Sequence, residues 1–192
     1  MPLPAWVAPD ETKPAPMPLL LVQAFVNTFE ADSDTDLLRE PDSARHWLTA
    51  AGLADAATVL GYEELRVARE VRESVRAVLA ANAGGPPPGA AVLAPLRAAA
   101  RASTPLFEID PIGRVHIEPS PRSGSEIAWT GLLIVIRDAQ ADGTWQRLKA
   151  CENHECGWAF YDRSHGRRGR WCEMSGCGNR VKNRNLRARR RA

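Results

Sequence analysis

Apolar positions in residues 62 to 83 recur with helical spacing. Leu65, Ala68, Val71, Val75, Val78 and Leu79 share one face, and arginines and glutamates occupy the rest. The pattern predicts a long amphipathic helix. Upstream, Pro41 to Ala51 reads as a shorter helix with proline at its start and Gly52 as its stop. The run Gly84-Gly-Pro-Pro-Pro-Gly89 breaks the chain before an Ala/Leu helix over 90–102. The period then changes. Leu106 to Asp110 and Arg114 to Glu118 alternate around Pro111-Ile112-Gly113, which predicts a β-hairpin. A last apolar helix is expected over about 125–141.

Two other apolar runs, Leu19 to Val26 and Leu132 to Ile136, are too short to span a bilayer. The first comes after proline-rich sequence and lacks the small-residue cleavage signal of a secretory leader. The expected setting is the cytoplasm, with no membrane partner. Residues 1–18 hold six prolines and little periodicity, so a flexible tail is expected there. The remaining length suits one globular domain, 19–145, and a separate C-terminal unit, 146–192.

Charge sets that C-terminal unit apart. The 192 residues carry 25 Lys+Arg and 23 Asp+Glu, yet residues 163–192 alone hold 11 bases against a single acid, Glu173. The rest of the chain is left with 14 bases and 22 acids. A near-neutral total therefore hides a strongly polar molecule. Ten of the eleven bases are arginines, whose planar fork pairs with phosphate oxygens or with the guanine edge. A solubilising basic tail is the bland alternative. Arg180, Arg184, Arg187 and Arg191 recur at i, i+4, i+7 and i+11, one face of a helix. With Lys182 and with Arg167, Arg168 and Arg170 just upstream, they are the candidate nucleic-acid contacts.

Four cysteines lie in the same stretch: Cys151, Cys156, Cys172 and Cys177 form two C-x4-C pairs separated by fifteen residues, and the chain has no other. Two short loops, each offering two thiolates, can complete a tetrahedral shell around one Zn²⁺ ion. Such a shell has no open position for water or substrate, so the expected metal is structural. Two disulfides would require an oxidising compartment. His154, in the middle of the first loop, could replace a cysteine as ligand, but four thiolates already fill the shell, so it reads as a histidine beside the site or on the surface. Because the basic run starts between the two cysteine pairs and continues directly from Cys177, the metal would hold it in a fixed orientation. His46, His116, His154 and His165 have no catalytic motif around them, and neither a P-loop nor a G-x-G-x-x-G occurs. No enzyme is expected.

The segments Arg147-Leu-Lys-Ala-Cys151, Trp158-Ala-Phe-Tyr-Asp-Arg-Ser164, Arg170-Trp-Cys172 and Cys177-Gly-Asn-Arg180 together resemble the CGNR zinc finger. The resemblance implies a bacterial, DNA-binding module with the four cysteines as zinc ligands. It also implies an upstream ABATE domain, described as a putative stress-induced transcription regulator. Phe25-Val-Asn-Thr28, Trp47-Leu-Thr-Ala-Ala-Gly-Leu53 and Ala68-Arg-Glu-Val-Arg-Glu-Ser-Val75 resemble that domain, although Ala24 stands where the family commonly has Asp.

The expected fold is mainly α, of the α+β kind. A helical N-terminal domain with a small β-hairpin precedes a treble-clef-like or ribbon-like four-cysteine finger that ends in a basic helix. Trp158, Phe160, Tyr161 and Trp171 either form the miniature core of the finger or stack on unpaired bases. Asn27, Arg69 and Arg72 are candidate groups for a small effector. Otherwise Asn27 caps a helix and the arginines pair with Glu70 and Glu73. The functional expectation is a transcription regulator that binds duplex DNA and senses a ligand or partner. RNA binding, or a protein-interaction module with a structural zinc, are the alternatives. One small finger makes few base contacts, so a homodimer or a partner is expected to supply specificity.

Overall fold

The computed structural model describes residues 2–119 and 127–189. Its first helix, α1 (Leu20–Val26), is almost wholly buried. A helix apolar on nearly every side belongs at the centre of a core. Next come α2 (Pro41–Ala50), α3 (Tyr62–Asn82), α4 (Ala94–Ala102) and α5 (Trp129–Ala141). Of these, α3 and α5 pack on α1, and α4 lies against both of them. The Phe25 ring meets Trp129 edge-on at 5.8 Å and Trp47 at 6.3 Å.

Helix ends obey local chemistry. Leaving α2, Leu53 N–H donates to Leu48 O at 2.8 Å and Gly52 N–H to Thr49 O at 3.0 Å, with Gly52 at φ 71°. This is a Schellman closure. At the end of α3 the same pair of bonds recurs, from Gly85 to Ala80 and from Gly84 to Ala81. At its start, Glu64 reaches back to accept the Gly61 N–H at 2.8 Å. Where residues 90–102 read as one helix, α4 begins four residues later, with Pro95 in its first turn. Of the helix expected over 125–141, residues 129–141 form α5, while residues 125 and 126 lie outside the described set.

Three two-stranded antiparallel ladders complete the described fold. The shortest pairs β1 (Phe29–Glu30) with β2 (Thr35–Asp36). The expected hairpin forms as β3 (Pro105–Ile109) and β4 (Val115–Pro119). In the C-terminal unit, β5 (Leu148–Ala150) pairs with β6 (Ala159–Tyr161), and all six residues are buried. The last described element is α6 (Asn179–Arg189). Among the described residues no helix is long and apolar enough to cross a membrane.

The proline-rich start departs from the expected flexible tail. Val7 and Ala15 are buried, Trp47 Nε1 donates to Trp6 O at 2.8 Å, and Tyr161 N–H donates to Lys13 O at 3.0 Å. Residues 11–15 thus run as a strap along the free edge of β6. Prolines suit such a segment, which offers carbonyls and has few N–H groups to satisfy.

The same edge meets α1. Asn27 presents its side-chain amide to Ala159 as a neighbouring strand would, accepting the Ala159 N–H at 2.7 Å and donating to Ala159 O at 2.9 Å. Gln23, 1 % exposed, donates to Ala159 O and to Lys13 O and accepts the Ala15 N–H. From α3, Arg76 donates to Val26 O and Gly157 O, and Asn82 donates to Trp145 O and Leu148 O. The two units therefore meet across a seam of buried polar contacts.

Candidate metal centre and nucleic-acid interface

Cys151 comes directly after β5, and its N–H donates to Trp158 O at 2.8 Å, so the first cysteine pair caps the β5–β6 hairpin. Gly157 then turns the chain at φ 62°, a left-handed conformation that disfavours side chains. Gly178, after the second pair, serves differently. A Cβ there would come within 2.5 Å of Met174 Sδ. Residues Met174–Gly178 form a single π-helical turn that carries Cys177 into the centre and leads straight into α6.

The four Sγ atoms lie within 4.8 Å of one another. Cys156 and Cys172 are 3.7 Å apart, and Cys172 and Cys177 are 3.8 Å apart. A tetrahedron of sulfurs about 2.3 Å from a central zinc has edges of about 3.8 Å, whereas a disulfide is about 2.0 Å long. Metal-free thiols would have to share protons. Contact with Cys156 holds Cys151 well below the ordinary thiol range, while contact with Cys151 pushes Cys156 up to about 12. A divalent cation removes that conflict by binding all four as thiolates. The donor set and spacing fit one structural zinc held by Cys151, Cys156, Cys172 and Cys177, and four sulfurs fill its shell. His154 is exposed and stands outside the cluster.

Asn153, in the first cysteine loop, is the contributor that sequence reasoning missed. It is fully buried, its Nδ2 lies 3.8 Å from Cys177 Sγ, and its Oδ1 accepts from Arg184 Nη2 at 3.0 Å. A single asparagine thus connects the metal site to the basic helix.

Between β6 and the second cysteine pair, residues 162–169 form a loop closed by a buried ion pair. Lys149 Nζ and Asp162 Oδ2 are 2.9 Å apart, with both side chains at most 5 % exposed. Asp162 also accepts the N–H groups of Ser164 and Gly169, and Lys149 donates to Arg167 O and Gly169 O. Burial would raise the Asp162 carboxyl, but the hydrogen bonds from Lys149, Ser164 and Gly169 hold it well below the usual carboxylate range. The loop is therefore preformed, with Arg167 and Arg168 exposed on it. Arg167 adopts φ 51°, an uncommon conformation for a residue with a side chain.

The presumed helix face is partly occupied. Arg180 Nη1 meets both carboxylate oxygens of Asp32, in the β1–β2 connection, at 3.0 and 3.2 Å. Arg184 pairs with Glu155 at 2.9 Å, and Arg170 pairs with Glu152. Lys182 and Arg187 are exposed on α6, and Arg191 lies outside the described residues. Of the four aromatics, Phe160 and Tyr161 are buried, and Trp158 and Trp171 are half-buried. Tyr161 joins the core that Leu148 and Ala159 share with the N-terminal helices, and only the two tryptophans keep part of their rings open to solvent.

The three candidate effector groups are engaged inside the protein. Asn27 is spent on the Ala159 backbone. Arg72, 3 % exposed, donates to both oxygens of Asp36 at 2.6 and 3.0 Å, to Thr28 Oγ1, and to Glu73. Arg69 donates to Leu38 O. Glu70 pairs instead with Arg66. None of the three lines the cleft of about 350 Å³ beside the cysteines, where Asp10, Glu30, Asp32 and Glu173 face Trp158 and Arg180.

Comparison with known families agrees with both halves of the chain. The family model ABATE, described as "Putative stress-induced transcription regulator", matches residues 20–141. The model of the CGNR zinc finger matches residues 147–190. No curated protein matches the chain.

Proposed function

The chain belongs to the ABATE family and ends in a CGNR zinc finger, and from that premise we propose that it is a transcription regulator whose finger binds duplex DNA. The observation that carries the reading is the origin of α6. The helix leaves the cysteine cluster through Cys177 and Gly178 without a linker, so bound zinc fixes the direction in which Arg180, Lys182, Arg184 and Arg187 are presented. A basic helix of this kind suits the major groove or the phosphate backbone. Arg167, Arg168 and Arg170, on or beside the preformed loop, form a second cluster of donors. Burial of Phe160 and Tyr161 favours duplex over single strands, whose recognition needs exposed rings.

In this reading residues 146–192 are the reader and 19–145 the sensor of a ligand or protein partner, with residues 1–18 strapping the two together. The seam at Ala159 and the Asp32–Arg180 pair are the routes by which a change in the sensor reaches the reader. No reaction is assigned to the chain, and the proposed setting is the cytoplasm of a bacterium.

Selection of bound duplexes from a random-sequence library, using zinc-loaded full-length protein near physiological salt, tests the proposal. Enrichment of a motif supports a sequence-reading regulator. Binding without enrichment would limit the arginines to phosphate contacts. Preference for single-stranded RNA over duplex DNA in direct competition would overturn the reading.

A further inference from the structure

The β3–β4 ribbon poses a problem that the proposed function does not address. Strand alternation gathers Pro105, Phe107 and Ile109 on the same face as Val115, Ile117 and Pro119, with Phe107 opposite Ile117 and Ile109 opposite Val115. That face is turned to water: Phe107 and Ile109 are each 70 % exposed and Val115 is 62 % exposed, while Ile112 at the turn reaches 75 %. Elsewhere among the described residues, large apolar side chains this exposed occur singly, as at Val59 and Met17. Here they are contiguous. A two-stranded ribbon is marginal in water without something packed on its apolar face, and α5 supports it through β4 alone among its main contacts. Contiguous exposed apolar surface of this kind marks an interaction site.

We propose that this face associates two copies of the chain, ribbon packed on ribbon about a twofold axis. Three features select a second copy as the occupant. The face carries no charge, since Glu108, His116 and Glu118 alternate onto the opposite side, so nothing on it is suited to a partner of complementary charge. Phe107 faces Ile117 and Ile109 faces Val115 across the ladder, so an antiparallel copy can set Phe107 of one chain over the Ile117–Val115 side of the other. Such an isologous contact closes on itself without leaving an open end. The area also fits. Side chains exposed to this extent offer on the order of 100 Å² each, or roughly 500 Å² per copy and about 1,000 Å² for the pair, which is the floor for a specific interface. The association is therefore weak and concentration-dependent. It does not rest on the DNA-binding reading, although a dimer would double the few base contacts of one finger.

Sedimentation velocity on the zinc-loaded full chain, from low micromolar to near-millimolar concentration, should show a monomer–dimer equilibrium. Phe107→Ser combined with Ile109→Thr should raise the dissociation constant by at least about tenfold, with zinc content and thermal midpoint unchanged because both side chains are exposed. Leu106→Ser, on the opposite face, should leave the equilibrium in place. Hydrogen exchange on the unaltered protein supplies an independent readout: amides of residues 105–119 should gain protection as concentration rises. A protein that stays monomeric throughout, or a dimer that survives the double substitution with no added protection at 105–119, overturns the proposal.

Discussion

Arg184 and Asn153 are joined by a 3.0 Å hydrogen bond from guanidinium to side-chain carbonyl, and the amide nitrogen of the same asparagine lies 3.8 Å from Cys177 Sγ. A residue of the basic helix is thereby held by a group that also touches the metal site. Ligand contacts of this type orient the ligand and tune its affinity for the metal.

Asn153→Ala should weaken zinc binding about tenfold or more, measured by competition with a chromophoric chelator, and should leave Arg184 held by Glu155 alone. Full removal of zinc should disorder the cysteine loops and α6, seen as loss of the near-ultraviolet signals of Trp158 and Trp171, because the metal ties these segments together while β5 and β6 stay packed on α3 and α1. A finger that keeps those signals in excess chelator would contradict a structural role for the metal.

In the proposed reading, Asp32 competes with phosphate for Arg180. An exposed ion pair contributes little, so Asp32→Asn should tighten duplex binding by no more than a few-fold. Arg180→Ala should instead weaken binding and reduce the slope of log K against log salt by about one. Titrations at several salt concentrations read both effects. Equal affinities for all three proteins would place Arg180 away from the DNA.

The Arg72–Asp36 pair predicts a pH dependence. Burial would raise the Asp36 carboxyl, but hydrogen bonds from Arg72 and Leu38 and the charges of Arg72 and Arg69 hold it below its usual value. A depressed carboxyl stabilises the fold above the unfolded-state pKa of about 3.9 and loses that contribution as pH falls through the folded-state value. Asp36→Asn should lower stability by about 3 kcal/mol at pH 7, because it leaves buried Arg72 with only the half-exposed Glu73 as a charge partner. The gap between the two thermal midpoints should narrow in acid. A constant gap from neutral pH down to pH values below about 3 would rule this origin out.

Asn27→Ala removes both bonds to the Ala159 backbone at a buried edge. Each unsatisfied group costs about 1–3 kcal/mol, so the thermal midpoint should fall clearly, and the N-terminal unit and finger should begin to unfold separately in calorimetry. Deleting residues 1–16 should act in the same direction, since Lys13 O and Ala15 N–H serve the same edge. A full-length transition that neither change disturbs would show the seam to be incidental.

Much of this was legible in residues close together along the chain. The helical spacing from Leu65 to Leu79, the glycines after α2 and α3, the alternation on either side of Pro111-Ile112-Gly113, and the two C-x4-C pairs each express a rule that acts within a few residues. Composition misled where it stood in for contacts. Six prolines suggested a loose tail, but one carbonyl among them, Lys13 O, accepts from both the Tyr161 N–H and Gln23. Asn27 and Arg72 looked like effector groups because polar residues within an apolar pattern suggest a site, yet their partners are Ala159 and Asp36, far away in sequence. No local signal marked Asn153, one polar residue among several in a loop.

The chain's local chemistry set its elements, its metal ligands and its concentration of positive charge, because periodicity, turn geometry and tetrahedral coordination need only near neighbours or short loops. Folding in three dimensions set which charges meet. Asp32 reaches Arg180 across 148 positions, and Glu155 engages Arg184 on the helix face that the arginine spacing singles out. Interactions of about 1 kcal/mol or less between long, flexible side chains leave no pattern in sequence, and they arise only once packing of the larger apolar groups has brought the two segments together.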